Sequence, residues 1–203
     1  MVRKEIVVEL SVFFLIFASA SAEFPLDAGR FGVAGDGKTD ITASLQQALN
    51  ACKDQGGGGV QLAQGTFIVR GHLLIPDNVT LAGVFTAPTA WTEGKGTSLY
   101  AYEGHGSEEG TPFITLGANA VLKGLTIYYP EQTGDTVVPY PWCIAGGGGD
   151  NVTVQDCLLV NPYQAIDLGT RPSGRHFISR VYGCPLRKGI FVDQCYVVGR
   201  IEN

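Results

Sequence analysis

Three short segments of this 203-residue chain repeat one pattern: Asn78-Val-Thr-Leu-Ala-Gly83, Asn119-Ala-Val-Leu-Lys-Gly124 and Asn151-Val-Thr-Val-Gln-Asp156. Each opens on Asn, which tolerates the left-handed backbone conformation and bonds its own backbone, so it suits a corner between two strands. Apolar residues then alternate, Val79 with Leu81 and Val152 with Val154. A period of two turns these inward and sends the Thr, Lys and Gln between them outward. The repeats are offset by 41 and then 32 residues. Such spacings fit the coils of a solenoid with loop insertions better than a closed barrel. A sandwich would carry hairpin turns between neighbouring strands, and few such signals occur. The expected fold is all-β, a parallel β-helix.

Composition agrees. Glycine is abundant at 28, and charged residues are 16%, below the roughly 25% of an ordinary globular chain. Apolar residues at 45% argue against disorder. The net charge of −5 is uneven. Glu23 to Thr170 holds six Lys/Arg against fifteen Asp/Glu, whereas Arg171 to Asn203 carries a net +4. A basic segment of this kind is either a solvated face or a dock for a polyanion. Gly35-Asp36-Gly37-Lys38 lacks the full spacing of a phosphate loop, and no nucleotide or nucleic-acid partner is expected.

Residues 1–22 have the make-up of a secretory signal. Arg3 and Lys4 supply the positive start, Leu10 to Phe17 the apolar run, and Ala20-Ser21-Ala22 the small-residue cleavage site. The apolar run is well short of the ~20 residues that span a bilayer. The expected organisation is a signal over 1–22 and a β-helix domain over 23–203, secreted or periplasmic, with no membrane partner after cleavage. Cys52, Cys143, Cys157, Cys184 and Cys195 remain. Export permits disulfides, but an odd count leaves at least one thiol unpaired. Buried thiols in a β core are the expected state. No Cys-x-x-Cys pair or His cluster marks a metal site.

A helix is expected from Asp40 to Gln55. Asp40 would be its N-cap, Ile41, Leu45, Ala48, Leu49 and Cys52 its apolar stripe, and Gly56 its stop. Laid across the first coil, it would hide an open apolar end. Before it runs Phe31-Gly-Val-Ala-Gly-Asp-Gly-Lys-Thr-Asp40. After it come Gly56-Gly-Gly-Gly59 and the strand-like Val60-Gln-Leu-Ala-Gln-Gly-Thr-Phe-Ile-Val69. In order and spacing, residues 24–83 resemble the N-terminal signature of the pectate-lyase superfamily, in particular the domain of rhamnogalacturonases and epimerase-like proteins. The resemblance implies a right-handed parallel β-helix, export and polysaccharide substrates, among members that hydrolyse, eliminate or only bind. The related polygalacturonases carry Asn-x-Asp, Asp-Asp, Gly-His-Gly and Arg-Ile-Lys in that order. Here Gly104-His105-Gly106 comes too early and Arg200-Ile201-Glu202 ends on the wrong charge, so no catalytic residue is carried over. Tyr196 to Asn203 stops mid-repeat without a polar cap, and further coils are expected beyond it.

The candidate site comes from register. Cys143-Ile144-Ala145, Ala165-Ile166-Asp167 and Gly189-Ile190-Phe191 read as one strand on three successive coils. Their isoleucines would stack inside. Ala145, Asp167 and Phe191 would form one outward row, and Gly147, Gly169 and Asp193 the next. Asp167 and Asp193 would then lie about 8 Å apart on the diagonal. Inverting glycosidases place their two carboxyls ~6.5–9.5 Å apart. Trp142, Tyr163 and Phe191, with Tyr140, could stack on sugar rings. Arg171, Arg175, Arg187 and Lys188 could hold uronate carboxylates. The loops Ala87 to Thr111 and Glu131 to Pro141 are where substrate contacts usually sit. The expected function is a hydrolase or lyase on acidic polysaccharide, with a non-catalytic binding or adhesin module as the alternative. No cofactor is evident; calcium enters only if the chemistry is elimination.

Overall fold

Asn78, Asn119 and Asn151 all hold left-handed backbone, with φ of 61°, 56° and 60°. Their side chains form a ladder. Asn119 Nδ2 donates to Asn78 Oδ1, and Asn151 Nδ2 to Asn119 Oδ1, both at 2.9 Å. The computed structural model describes residues 25–88, 95–133 and 135–203, so the expected signal over 1–22 lies outside the described residues.

The elements run β1 Leu26–Asp27, a 3-10 turn Ala28–Phe31, β2 Asp36–Asp40, α1 Thr42–Asp54, β3 Gly58–Gln61, β4 Gly65–Val69, β5 Leu73–Ile75, β6 Val79–Ala82, β7 Thr97–Ala101 and β8 Ile114–Leu116. They continue with β9 Val121–Lys123, β10 Thr126–Tyr128, β11 Trp142–Gly146, β12 Val152–Val160, β13 Gln164–Asp167, β14 Arg175–Gly183, β15 Lys188–Phe191 and β16 Val198–Glu202. One sheet has five strands, ordered β15-β13-β11-β8-β5. The other has eleven strands in two arms, β1-β3-β6-β9 and β10-β7-β4-β2, which meet on β12, with β14 and β16 beyond. Every pairing of these strands is parallel. β12 bends at Asp156, φ 53°. Its first half pairs β9 and its second half β10. The described chain is thus all-β apart from α1, with parallel strands in two curled sheets, an arrangement consistent with a parallel β-helix.

Register builds the core. Leu26, Val60, Leu81, Leu122, Val154, Ile178 and Ile201 stand in one column. Leu73, Ile114, Ile144, Ile166 and Ile190 make a second, so the three isoleucines aligned from sequence do stack. Parallel strands buried on their inner face need such apolar columns, because sequence-distant side chains meet at the inter-strand spacing of about 4.8 Å.

The helix begins two residues later than expected. β2 pairs with β4 through Asp40, which keeps Asp40 extended and outside the helix. Ile41 takes the cap position without a side-chain bond. The Asp40 carboxylate still accepts the Thr42 amide at 3.0 Å and its hydroxyl at 2.6 Å. At the other end Gly56 (φ 94°) donates to Lys53 O and Gly57 to Cys52 O, the paired closure that a left-handed C′ residue permits. Leu45, Ala48, Leu49 and Cys52 are buried against β3, β5 and β6, worth about 2 kcal/mol for each leucine. Gln46 bonds both backbone groups of Leu74, at 2.8 and 2.9 Å. Its amide thereby satisfies the free edge of β5, as a neighbouring strand would.

All five cysteines are free thiols. Burial pushes the Cys143 and Cys157 thiols up to about 12, which makes them inert core residues. Among the described residues the buried Tyr129 hydroxyl has no hydrogen-bond partner. His176 is 5% exposed, in register with Val152 and Gly199, and its Nδ1 likewise meets no partner among them.

Replacing Asn119 by Ala removes two ladder bonds and strains a left-handed residue, so urea denaturation should show a loss of about 2 kcal/mol. Asn119→Gly, which loses the ladder bonds without the strain, should lose about half of that; equal losses would mean that the ladder, not the conformation, matters. Burial lowers the His176 pKa. Its contribution is complete above the unfolded value of about 6.5 and is lost as pH falls through the lowered folded value. His176→Leu should therefore flatten the fall of the denaturation midpoint below about pH 6.5. An unchanged slope would assign the acid sensitivity to other groups.

Candidate functional site

The outer face of the five-stranded sheet carries one continuous row. Leu74, Thr115, Ala145, Asp167 and Phe191 stand side by side on successive strands. Four inter-strand steps make this row about 19 Å long. Its middle is concave because Thr115, Ala145 and Gly146 are small, between the larger Trp142 and Asp167. There an open cleft of about 730 Å³ has these residues as its floor. Glu108 to Pro112 form one wall, and Thr170 with Arg171 the opposite rim.

Asp167 is the most constrained polar group in the cleft. It is only 4% exposed, and its Oδ1 accepts the Gly169 and Thr170 amides, both at 2.9 Å. Oδ2 has no partner among the described residues. The carboxylate is thus fixed in direction by its own turn and keeps one oxygen for a ligand. Trp142 is half-buried beside it. Phe191 stacks on the Trp142 ring at 6.3 Å and 18°, and Lys188 Nζ lies 5.4 Å above it.

The wall comes from far away in sequence. The chain between β7 and β8 reaches across two later strands to do this. Gln164 Nε2 donates to Glu108 O at 3.0 Å and to Tyr140 O at 3.2 Å. The Glu108 carboxylate forms an ion pair with Arg187. Arg187 also donates to the Tyr163 hydroxyl at 3.1 Å and lies over that ring. Gly104 holds φ 89°, and a side chain there would run into Pro141, so the base of the loop is pinned. Glu109 is exposed, and its carboxylate bonds to no other described residue.

Trp142, Asp167 and Arg171 therefore share the cleft, Phe191 and Lys188 flank it, and Tyr163 and Arg187 brace its wall. Two expected members lie elsewhere. Arg175 opens β14 in the other sheet, exposed, next to Asp150. Asp193 falls past the end of β15, exposed, with Oδ1 accepting the Gln194 amide at 2.8 Å. Its backbone does face Gly169, as the row alignment predicts, but the chain leaves the strand before it and turns at Gln194, φ 52°. The carboxylates brought to the cleft with Asp167 are Glu108 and Glu109. Nothing in their local sequence marks them, since they act through a loop that folds back over distant strands. Tyr140 is packing, not a sugar platform. It is fully buried, packs edge-on to Tyr129 at 5.0 Å, and donates to Glu131 at 2.8 Å. Burial, with that bond, raises its pKa. Among the described residues no group of three His, Cys, Asp or Glu is placed to hold a metal ion. No helix among them is long and apolar enough to cross a membrane.

The model of the family described as rhamnogalacturonase A/epimerase, pectate lyase-like, matches residues 27–138. The chain belongs to that family. Three solved structures share its fold. A protein of Parabacteroides merdae described as a glycosyl hydrolase superposes with TM-score 0.58 and 18% identity, over 79% of this chain and 74% of its own. The A-module of the Azotobacter vinelandii mannuronan C-5 epimerase AlgE4 gives 0.54 and 21%, over 78% and 41%. PfbA, a surface adhesin of Streptococcus pneumoniae, gives 0.52 and 16%, over 76% and 39%. The chain thus spans about two fifths of the last two. A sequence comparison with curated proteins finds no match.

Arg187→Ala should free the wall without unfolding the protein, since an exposed ion pair is worth at most about 1 kcal/mol. Hydrogen exchange should accelerate between residues 104 and 111 while the melting temperature holds. Unchanged exchange there would mean that the remaining bonds, Gln164 to Glu108 O and Gly106 to Pro139 O, suffice to fix the loop.

Proposed function

We propose that this chain is an exported, right-handed β-helix that binds a polysaccharide along its five-stranded face and cleaves it there. α1 caps the N-terminal end of the solenoid. The glycan lies across Thr115, Ala145 and Trp142, with the indole stacked on a sugar ring. Arg171 on the rim meets a uronate carboxylate through its two-pronged donor geometry. Asp167 is the acid–base group and Glu109 the second carboxylate across the cleft. The observation that carries this reading is the Asp167 carboxylate, anchored through Oδ1 and open at Oδ2 on the cleft floor. The family and the folds it resembles support a polysaccharide ligand.

One observation favours binding without turnover. Of the three carboxylates only that of Asp167 is oriented by backbone amides, because the Glu109 carboxylate has no bonding partner among the described residues and that of Glu108 is tied to Arg187. Glycan hydrolysis needs two positioned carboxyls.

The two readings separate with polygalacturonate and a neutral glycan as ligands. Trp142→Ala should weaken retention of the acidic polymer about tenfold in affinity electrophoresis. Asp167→Asn should lower release of reducing ends or unsaturated product by about 100-fold while retention stays. Retention with no turnover in the natural chain would establish the binding module. Equal turnover in Asp167→Asn would remove Asp167 from the chemistry.

A further inference from the structure

One corner of the frame meets both ends of the cleft wall. Pairing of β5 with β8 sets Leu73 beside Ile114, and Leu73 donates its amide to Phe113 O at 2.9 Å. His72 therefore stands where the wall segment rejoins the sheet, with its Nδ1 3.0 Å from Pro112 O. Pro112 itself lines the cleft. Where the segment departs, Tyr102 donates its amide to Val69 O at 3.2 Å. Arg70 lies 4.4 Å above the Tyr102 ring, and His72 Nε2 is 3.9 Å from the Glu103 carboxylate. One imidazole thus touches both stems of the segment 103–112, whose middle carries Glu108 and Glu109 to the cleft. The corner does not move with the segment. Arg70 donates its amide to Thr42 Oγ1 at 2.9 Å and to Asp40 Oδ1 at 3.3 Å, and a Cβ on Gly71 would come within 2.9 Å of Thr42.

A carbonyl oxygen only accepts, so the neutral ring carries its proton on Nδ1 and turns the Nε2 lone pair toward Glu103. A protonated ring donates from both nitrogens, and its Nε2–H then faces a carboxylate. We propose that His72 is a pH-operated clasp on the cleft wall. In alkaline medium it holds Pro112 alone, and in mildly acidic medium it holds Pro112 and Glu103 together. The consequence for a glycan rests on the reading of the cleft given above; the clasp does not. The charged and titratable groups at this corner are Asp40, Arg70, Tyr102 and Glu103. Asp40 accepts from Thr42 and from the Arg70 amide, and the Arg70 guanidinium covers Tyr102. Among the described residues only the Glu103 carboxylate pairs with the imidazole. An imidazole gains its charge between about pH 8 and pH 5.5, whereas a carboxylate keeps its charge at both. The wall therefore closes more firmly as pH falls through this range. The pair is partly exposed, which limits the change in the closing equilibrium to about fivefold.

Hydrogen exchange of the Gly106 amide, which donates to Pro139 O at 2.9 Å, tests this without any glycan, so its failure would count against the clasp alone. Corrected for the intrinsic rate, protection in the natural chain should be about fivefold greater at pH 5.5 than at pH 8. Glu103→Gln keeps the shape and removes the charge, and should make protection equal at the two pH values. His72→Ala should lower it at both. Long-range proton–nitrogen spectra at pH 8 should place the His72 proton on Nδ1. Equal protection of the natural chain at both pH values overturns the proposal. So does a pH dependence that survives Glu103→Gln, a proton on Nε2 at pH 8, or an equal pH response of the core amides Leu122 and Ile144, which would assign the effect to global stability.

Discussion

Everything in this molecule depends on the register between parallel strands. A parallel pair has no hairpin to set its alignment, and a slip of one residue would turn each inward column outward. The corners supply the missing constraint. Asn78, Asn119 and Asn151 hold the same left-handed conformation and bond one another amide to amide, so each pass of the chain starts level with the one below. A second corner repeats the device in another chemistry. Asp156 and Arg180 are both left-handed, φ 53° and 49°, and join through a two-pronged ion pair. That bond raises the arginine pKa further. Once the corners are level, Leu, Val and Ile stack as columns, and the outward rows follow without further instruction.

The cleft is a consequence of that alignment. Small residues at one level of the outer face make a hollow, and a turn at the end of β13 fixes the carboxylate of Asp167 beside it. The loop before β8 then closes one side, held by Gln164 and Arg187, which come from later passes. Stability and ligand contact are thus divided. The columns and corners make a rigid frame, while the group that completes the cleft is a loop held by a few polar contacts.

Local signals made the frame legible. Asn at a corner, alternation of period two and an apolar stripe at helical spacing each act within a few residues. They placed the corners, the isoleucine column and α1. What depends on distant parts of the chain was not legible. Asp40 reads as a cap, but pairing of β2 with β4 keeps it in a strand. Asp193 aligns with Gly169, yet the strand ends before it. Asp167 reads as an exposed carboxylate, and its own turn buries it. Glu108 and Glu109 carry no local mark, because the contact that brings them to the cleft spans 56 residues. The family likeness ends at residue 138, before β11, so it bears on the frame more than on the cleft.

The most direct measurement is nuclear Overhauser contact between isoleucine methyl groups in the labelled protein. Parallel stacking predicts that Ile144 contacts both Ile114 and Ile166, and that Ile114 and Ile166 do not contact each other. Ile144 contacts to residues of any other register, or a pattern of antiparallel neighbours, would contradict the alignment from which the columns, the corners and the cleft all follow.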